Sequence, residues 1–218
     1  MFINFKDAPA RSGYFWLAST VTPRPVAWVS SLSASGVPNL APFSFFQVVT
    51  GTPPTLMICP LVNGGDKSFK DTALNIAATG EFVVNLVPHA MVNAMNETSF
   101  GYGRETSEFD AAKIESEAST LVKPRRVRGV PVAFECKLAQ HLPYPADNPS
   151  CVIILGEVVA AHIDESILAP LPEGAAPGTQ QHVDPNKLDL VSRMGADWYG
   201  RTQAAENFEL GRPAGWAR

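Results

Sequence analysis

Residues 24–46 have the sequence RPVAWVSSLSASGVPNLAPFSFF, which predicts two β-strands joined by a tight turn. Residues 26–32 are apolar and rich in β-forming side chains, and the SASG segment at 33–36 supplies small turn residues ending in a glycine. Pro38 and Pro42 lack the backbone donor that a strand ladder needs. Part of the second strand must therefore lie at a sheet edge or at a bulge.

Polar side chains interrupt both of these apolar strands. A hairpin with a purely structural role does not need the residues found at these positions, which are Arg24, Ser30, Ser31, Asn39 and Ser44. Strand edges and bulges also leave backbone N–H and C=O groups accessible to a ligand. The hairpin is therefore a candidate binding element for a flat ligand.

The composition is that of an ordinary globular protein. The chain has 218 residues, of which 45% are hydrophobic and 17% charged, and we expect one domain spanning residues 1–218. The formal net charge is −4, and the basic segment KPRRVR at 123–128 is typical of a solvated loop. Because nucleic acid binding needs a clustered basic surface, nucleic acid is not an expected partner.

The three cysteines, Cys59, Cys136 and Cys151, show no C-x-x-C spacing. Neither a disulfide framework nor a structural zinc site is predicted from them. Reduced cysteines fit the cytoplasm. The sequence shows no signal-peptide pattern and no apolar run long enough to cross a bilayer, so we expect a soluble cytoplasmic protein without a membrane partner.

The remaining elements follow from hydrophobic periodicity. Strands are predicted at 55–59, 81–87, 130–142 and 151–163, and helices at 67–79 and 89–95. Gly80 ends the first helix, and Asp71 or Thr72 is expected to cap its start. An arm or short helix at 1–22, an irregular excursion at 97–128 and a loop at 170–185 complete the chain. Without βαβ alternation, this pattern predicts a mainly β fold, a β-barrel with added helices (α+β).

The sequence lacks four common catalytic and nucleotide-binding motifs. There is no G-x-x-x-x-G-K-S/T loop, no G-x-G-x-x-G fingerprint, no G-x-S-x-G elbow and no H-E-x-x-H pair. The four histidines are widely spaced. We therefore predict no catalytic side chain and no metal site.

The start of the first predicted helix, Lys70-Asp71-Thr72, suggests an anion-binding site. A helix N-terminus offers unpaired N–H donors and the positive end of the helix dipole, which suit a phosphate group. Taken alone, a start of this kind more often belongs to an ordinary capped helix. A ligand with a phosphate and a flat ring would, however, account together for this start, for Arg24 and for the hairpin hydroxyls. For Trp28 and the phenylalanines, core packing remains the alternative role.

Taken together, RPVAWVSSLSASGVPNLAPFSFF and the later KDTALN resemble the flavin reductase-like, FMN-binding split-barrel family. Gly156-Glu157-Val158 and then Arg193-Met194-Gly195 with Tyr199 agree with this resemblance, which covers residues 12–210. Ala196 departs from the family, which often has a second glycine there. The resemblance implies a six-stranded split β-barrel that forms a homodimer, with FMN near the subunit interface.

The resemblance also implies a set of cofactor-binding residues. Arg24, Lys70 and Thr72 would hold the FMN phosphate, with Asp71 beside them, and Asn75 would brace the helix. Two segments would line the isoalloxazine and the ribityl chain, namely Ala27, Trp28, Val29, Ser30 and Ser31, and Asn39, Ala41, Pro42, Phe43, Ser44 and Phe45.

The function implied is NAD(P)H-dependent flavin reduction, with electrons passed to free flavin or to a partner oxygenase. Two alternatives stay open at this point. One is an FMN-binding electron carrier without NAD(P)H activity, and the other is a flavin-free barrel used for protein interaction.

Overall fold

The fold was obtained as a computed structural model that describes residues 1–210, so residues 211–218 of the expected domain lie outside the described residues. Four α-helices are present in this part of the chain: α1 (Ser12–Thr20), α2 (Asp71–Thr79), α3 (Val92–Glu97) and α4 (Glu108–Ala111). The strands are β1 (Arg24–Pro25), β2 (Ala27–Leu32), β3 (Pro38–Phe43), β4 (Phe46–Gly51), β5 (Pro54–Ile58), β6 (Glu81–Leu86), β7 (Ser116–Glu117), β8 (Arg126–Val127), β9 (Val132–Tyr144), β10 (Cys151–Ile163), β11 (Val191–Gly195) and β12 (Trp198–Arg201).

Seven of these strands form one antiparallel sheet in the order β3-β2-β6-β9-β10-β5-β4. Its two edge strands, β3 and β4, are separated along the chain only by Ser44 and Phe45. The sheet must therefore curl until its edges meet at this corner, where the Cys59 N–H donates to the Phe45 carbonyl at 2.8 Å. The predicted mainly β barrel with helices is confirmed, and its main sheet has seven strands where the resemblance implied six.

The predicted hairpin is β2–β3, paired from Ala27 opposite Phe43 to Leu32 opposite Pro38. The expected edge position is confirmed, because β3 pairs with β2 on one side only. Its Leu40 N–H points away from β2 and donates to Glu108. Backbone N–H groups point alternately to the two sides of a strand. Pro38 and Pro42 each lie two residues from Leu40, so their nitrogen atoms also face away from β2 and the β2–β3 ladder loses no hydrogen bond.

The barrel interior is filled from several elements at once. Val29 on β2, Ile76 on α2, Phe82 on β6 and Ile154 on β10 are at most 1% exposed and belong to one apolar cluster. A second cluster lies on the other face of β2, where Trp28 packs among residues of α3, α4 and β11. Because β2 is buried on both faces, its apolar residues Ala27, Trp28 and Val29 follow one another instead of alternating with polar ones.

Helix α2 begins later than predicted. It starts at Asp71 instead of residue 67, because residues 63–68 form a separate turn held by Asp66 and Ser68. The predicted cap is wrong: Lys70 is the N-cap residue, and no side chain caps this end. The stop at Gly80 is confirmed, with Gly80 in the left-handed conformation at φ 72°.

The excursion at 97–128 contains α4 and the short β7–β8 pair. Its middle is tied to the barrel by Glu135 of β9, whose carboxylate accepts N–H groups from Thr120, Leu121 and Val122. The tail forms the β11–β12 hairpin, which pairs with β1 in a small three-stranded sheet. Among the described residues, no helix is both long and apolar enough to cross a membrane.

Candidate functional site

Two cavities adjoin each other at the corner where β3 ends. The first has a volume of about 350 Å³ and lies between β3, the start of α2 and the segment after α3. The second has a volume of about 340 Å³ and lies between β1, α1 and the β11–β12 hairpin. They share the wall formed by Pro42, Phe43 and Ser99.

The first cavity brings together seven of the residues predicted for cofactor binding. These are Asn39, Ala41, Pro42, Phe43, Lys70, Asp71 and Thr72. They come from an edge strand and a helix start that are distant in sequence, and the barrel places them side by side. The hairpin and the α2 start therefore contribute to one surface.

The α2 N-terminus in this cavity has free donors. Among residues 1–210, the backbone N–H groups of Asp71, Thr72 and Ala73 have no acceptor, whereas the Leu74 N–H already donates to the Lys70 carbonyl. Within the same residues, the exposed Lys70 ammonium has no carboxylate partner within 4.0 Å, and Asp71 is turned toward Arg104 at 3.3 Å. A row of free N–H donors beside a lysine is a favourable place for a phosphate group.

A buried network of hydrogen bonds fixes this surface. The Asn39 Oδ1 atom accepts hydrogen bonds from Thr72 Oγ1 at 2.8 Å and from Ser31 Oγ at 3.3 Å, and Asn75 Nδ2 donates to Ser31 Oγ at 3.2 Å. Because the Thr72 hydroxyl proton is engaged by Asn39, the donor that Thr72 leaves free is its backbone N–H. The network locks α2 against β3.

Glu108 is part of this network and was missed by the sequence reasoning. Both of its carboxylate oxygens accept from Asn39 Nδ2 at 3.0 Å, and Oε2 also accepts the Leu40 N–H at 2.8 Å. Burial raises the pKa of Glu108 above its ordinary value, although the hydrogen bonds from Leu40 and Asn39 oppose that shift. Glu108 thereby anchors α4 to the otherwise open edge of β3.

Two aromatic residues at the mouth of the first cavity were also missed. Phe100, which is 68% exposed, and Tyr102 stack edge to face with ring centroids 4.9 Å apart. Together with Pro42 and Phe43, they give the cavity flat apolar walls. The sequence signal at this place is the GYG segment at 101–103, which lacks the third glycine of a G-x-G-x-x-G fingerprint.

Several predicted residues line neither cavity. Ala27, Trp28 and Val29 are fully buried in the core. The Ser30 hydroxyl donates to the Arg125 carbonyl at 2.6 Å. Ser31, Asn75 and Phe45 also line neither cavity. Ser31 and Asn75 belong to the hydrogen-bond network that holds Asn39, and the Phe45 ring centroid lies 5.5 Å from the Arg24 guanidinium carbon.

Arg24 and Ser44 lie in the second cavity, apart from Lys70 and Thr72. Arg24 is 8% exposed, and its Nη1 atom donates to the Ala18 and Val21 carbonyls at the end of α1, each at 2.6 Å. Burial lowers the pKa of Arg24, and the nearby charge of Arg193 lowers it further. The structure therefore does not bring the three predicted phosphate ligands into one cavity.

Comparison with known proteins connects this geometry to a family. The family model of the flavin reductase like domain matches residues 19–172. A protein of Aquifex aeolicus (strain VF5) with no assigned function is 34% identical over 194 residues, covering 89% of this chain and 92% of that protein.

Two solved structures share the fold over nearly the whole length. Nitrilotriacetate monooxygenase component B from Bacillus cereus superimposes with a TM-score of 0.85 at 30% identity, covering 96% of this chain and 98% of that one. The 2-nitrobenzoate 2-nitroreductase NbaA of Pseudomonas fluorescens gives a TM-score of 0.83 at 26% identity, covering 100% of this chain and 99% of that one. With a split barrel of this topology and a family model that matches most of its length, the chain belongs to the flavin reductase-like domain family.

Proposed function

We propose that this protein is an FMN-binding NAD(P)H:flavin oxidoreductase. The observation that carries the proposal is the first cavity, in which free N–H donors and Lys70 at the start of α2 face flat walls formed by Pro42, Phe43 and Phe100. A phosphorylated ligand with a planar ring matches this combination of an anion-binding end and apolar faces.

The residues of the chain fit FMN in stated roles. Lys70 and the backbone N–H groups of Asp71 and Thr72 would hold the phosphate, and Asn39, fixed by Glu108, would keep α2 in place behind it. The wall from Ala41 to Phe43 would contact the ring. When bound, FMN would supply the redox chemistry, accepting a hydride from a reduced nicotinamide and passing electrons to an acceptor.

The proposal also covers the electron acceptor, the oligomeric state and the cellular compartment. The similarity to a monooxygenase component B supports a partner oxygenase as one destination for the electrons, and free flavin is the other. We also propose a homodimer, since β4 is an edge strand whose Val48 and Val49 are 63% and 49% exposed. Three free cysteines support a cytoplasmic location.

The first test is the visible absorption of the purified protein, recorded without oxygen before and after addition of NADH and then of NADPH. We expect flavin bands that bleach with at least one nucleotide. Bands that persist with both nucleotides would identify an FMN-binding electron carrier instead. A colourless protein that takes up no added FMN would contradict the proposal.

The second test concerns Lys70. We expect Lys70→Ala to weaken FMN binding by about 1.5–3 kcal/mol, because one charge-assisted contact to the phosphate is lost. The matched control is Lys6→Ala, which removes the same charge from an exposed residue far from the cavity in sequence. Titration of the flavin-free protein with FMN measures both, and equal dissociation constants in the Lys70 variant and the parent would refute the phosphate assignment.

A further inference from the structure

The second cavity contains two cations that the proposed flavin site does not use. Arg24 on β1 and Arg193 on β11 are direct partners across antiparallel strands and both line this cavity. Like charges placed directly opposite each other on paired strands are destabilising. Two guanidinium groups are therefore held together at a cost that a bound anion would remove.

Each guanidinium group is held in place by hydrogen bonds to neighbouring groups of the chain. Arg24 is fixed by the carbonyl groups that end α1, and the Arg193 guanidinium donates to the Tyr199 hydroxyl and to the Ala196 carbonyl. Within residues 1–210, Arg24 Nη2 and Arg193 Nε have no hydrogen-bond acceptor, so both are free to bind a ligand.

The hairpin that presents Arg193 is packed tightly on α1. Gly195 has φ +100°, and a Cβ atom there would lie 2.9 Å from both the Ala18 carbonyl oxygen and Ser19 Cα. Only glycine permits this approach. The distance between the two arginines is thus set by a rigid contact between the hairpin and the helix, which is what a preorganised anion site requires.

No carboxylate neutralises the pair in the described part of the chain. Neither arginine lies within 4.0 Å of an Asp or Glu oxygen there, although Arg201 on the same hairpin pairs with Asp189 at 2.6 Å. Asp197 is the single acidic residue lining the cavity, and it is exposed. Two cations against one carboxylate leave a net positive cavity, and burial of Arg24 strengthens its attraction for an anion.

We propose that Arg24 and Arg193 bind the phosphoryl groups of the nicotinamide dinucleotide, so that the two adjoining cavities hold the two redox ligands. The proposal rests on the function proposed above. Arginine is suited to bidentate binding of phosphate oxygens. The two cavities share Pro42 and Phe43 as lining residues, so ligands bound in them would be neighbours.

The cavity itself is tested on the flavin-free protein with inorganic diphosphate. We expect diphosphate to raise the melting temperature of the parent and of Arg201→Gln, because a ligand that binds only the folded state stabilises it. Arg193→Gln should lose this response, whereas Arg193→Lys should keep part of it because the charge remains. An equal response in Arg193→Gln and in the parent would overturn the anion site.

The identity of the ligand is tested on FMN-saturated protein titrated with NADP⁺. We expect the NADP⁺ dissociation constant of Arg193→Gln to rise about tenfold or more, with the FMN constant unchanged, since a lost charge-assisted contact has an effect of that order. Arg201→Gln should match the parent. A comparable rise in the FMN constant would overturn the assignment in favour of the FMN phosphate, and an unchanged NADP⁺ constant would overturn it outright.

FMN uptake tests the proposed function, and the NADP⁺ titration tests the Arg24–Arg193 site separately. If the parent takes up no FMN, the proposed function falls, and the same NADP⁺ titration is then made on the flavin-free protein. A tenfold weaker constant in Arg193→Gln would still support the nucleotide site, and equal constants would overturn it.

Discussion

Gly156 shows how a single residue can be required by packing alone. A Cβ atom at this position on β10 would lie 2.3 Å from Cζ and 2.8 Å from Cε1 of the buried Phe82 ring. We expect Gly156→Ala to lower the free energy of unfolding by about 1–3 kcal/mol, the usual cost of overpacking a core. Urea denaturation measures this change.

The control for Gly156 is Gly64→Ala in the exposed turn at 63–68, where nothing lies within 4 Å of an added Cβ atom. It should leave stability close to that of the parent. A Gly156→Ala variant as stable as the control would show that Phe82 can move aside and would refute the packing argument.

The sequence predicts site residues that lie in regular elements better than residues that reach the site through tertiary contacts. Asn39 and Thr72 were predicted from the hairpin and the helix start, and the structure joins them by a hydrogen bond. Glu108 and Phe100 reach the cavity only through tertiary contacts of the segment 97–128, whose sequence has no periodicity to analyse. The N-cap was missed because propensity favoured Asp71 or Thr72, whereas the chain leaves that end uncapped.

Glu135 connects the segment 119–124 to the barrel. This fully buried carboxylate on β9 accepts hydrogen bonds from Thr120 N–H at 2.7 Å and from Leu121 N–H at 2.6 Å, and it contacts His162 Nε2 at 2.5 Å. Burial alone would raise the pKa of Glu135, but the hydrogen bonds from Thr120, His162 and Leu121 outweigh it, and the pKa is lowered from the ordinary 4.5.

The sign of the pH dependence follows from this lowered pKa. The ionised carboxylate stabilises the folded protein above the ordinary value of 4.5, and this stability is lost as the pH falls through the lower pKa of the folded state. We expect Glu135→Gln to be about 1.5–3 kcal/mol less stable at neutral pH and to lose less stability on acidification. Urea denaturation over a pH series measures both effects.

The control for Glu135 is Glu81→Gln, whose carboxylate accepts the Lys123 N–H from the same region of the chain. This variant should keep the acid dependence of the parent. If Glu135→Gln loses stability at low pH as steeply as the parent, another group is responsible for the acid dependence.

For the whole molecule, the strand types were predictable but the closure of the sheet was not. Alternation and turn residues gave the strands at 81–87, 130–142 and 151–163 within a few residues of β6, β9 and β10. The order in which strands pair depends on contacts between residues far apart in sequence. The pairings β2-β6-β9-β10-β5, which bring the two ends of the sheet to the corner that walls the cavities, are such contacts, and only the structure shows them.

The exposed strand β4 offers a contact surface for a second copy of this chain. An apolar edge strand left open to solvent favours pairing with another chain, and it starts at the corner next to both cavities. We expect the parent to sediment as a dimer and Val48→Lys to sediment as a monomer, because a charge would be buried in the interface. Leu171→Lys, in the loop at 170–185, is the control and should remain dimeric. If flavin binds near the interface, Val48→Lys should also bind FMN more weakly. A parent that sediments as a monomer, or a Val48→Lys variant that sediments as a dimer, would exclude β4 as the dimer contact.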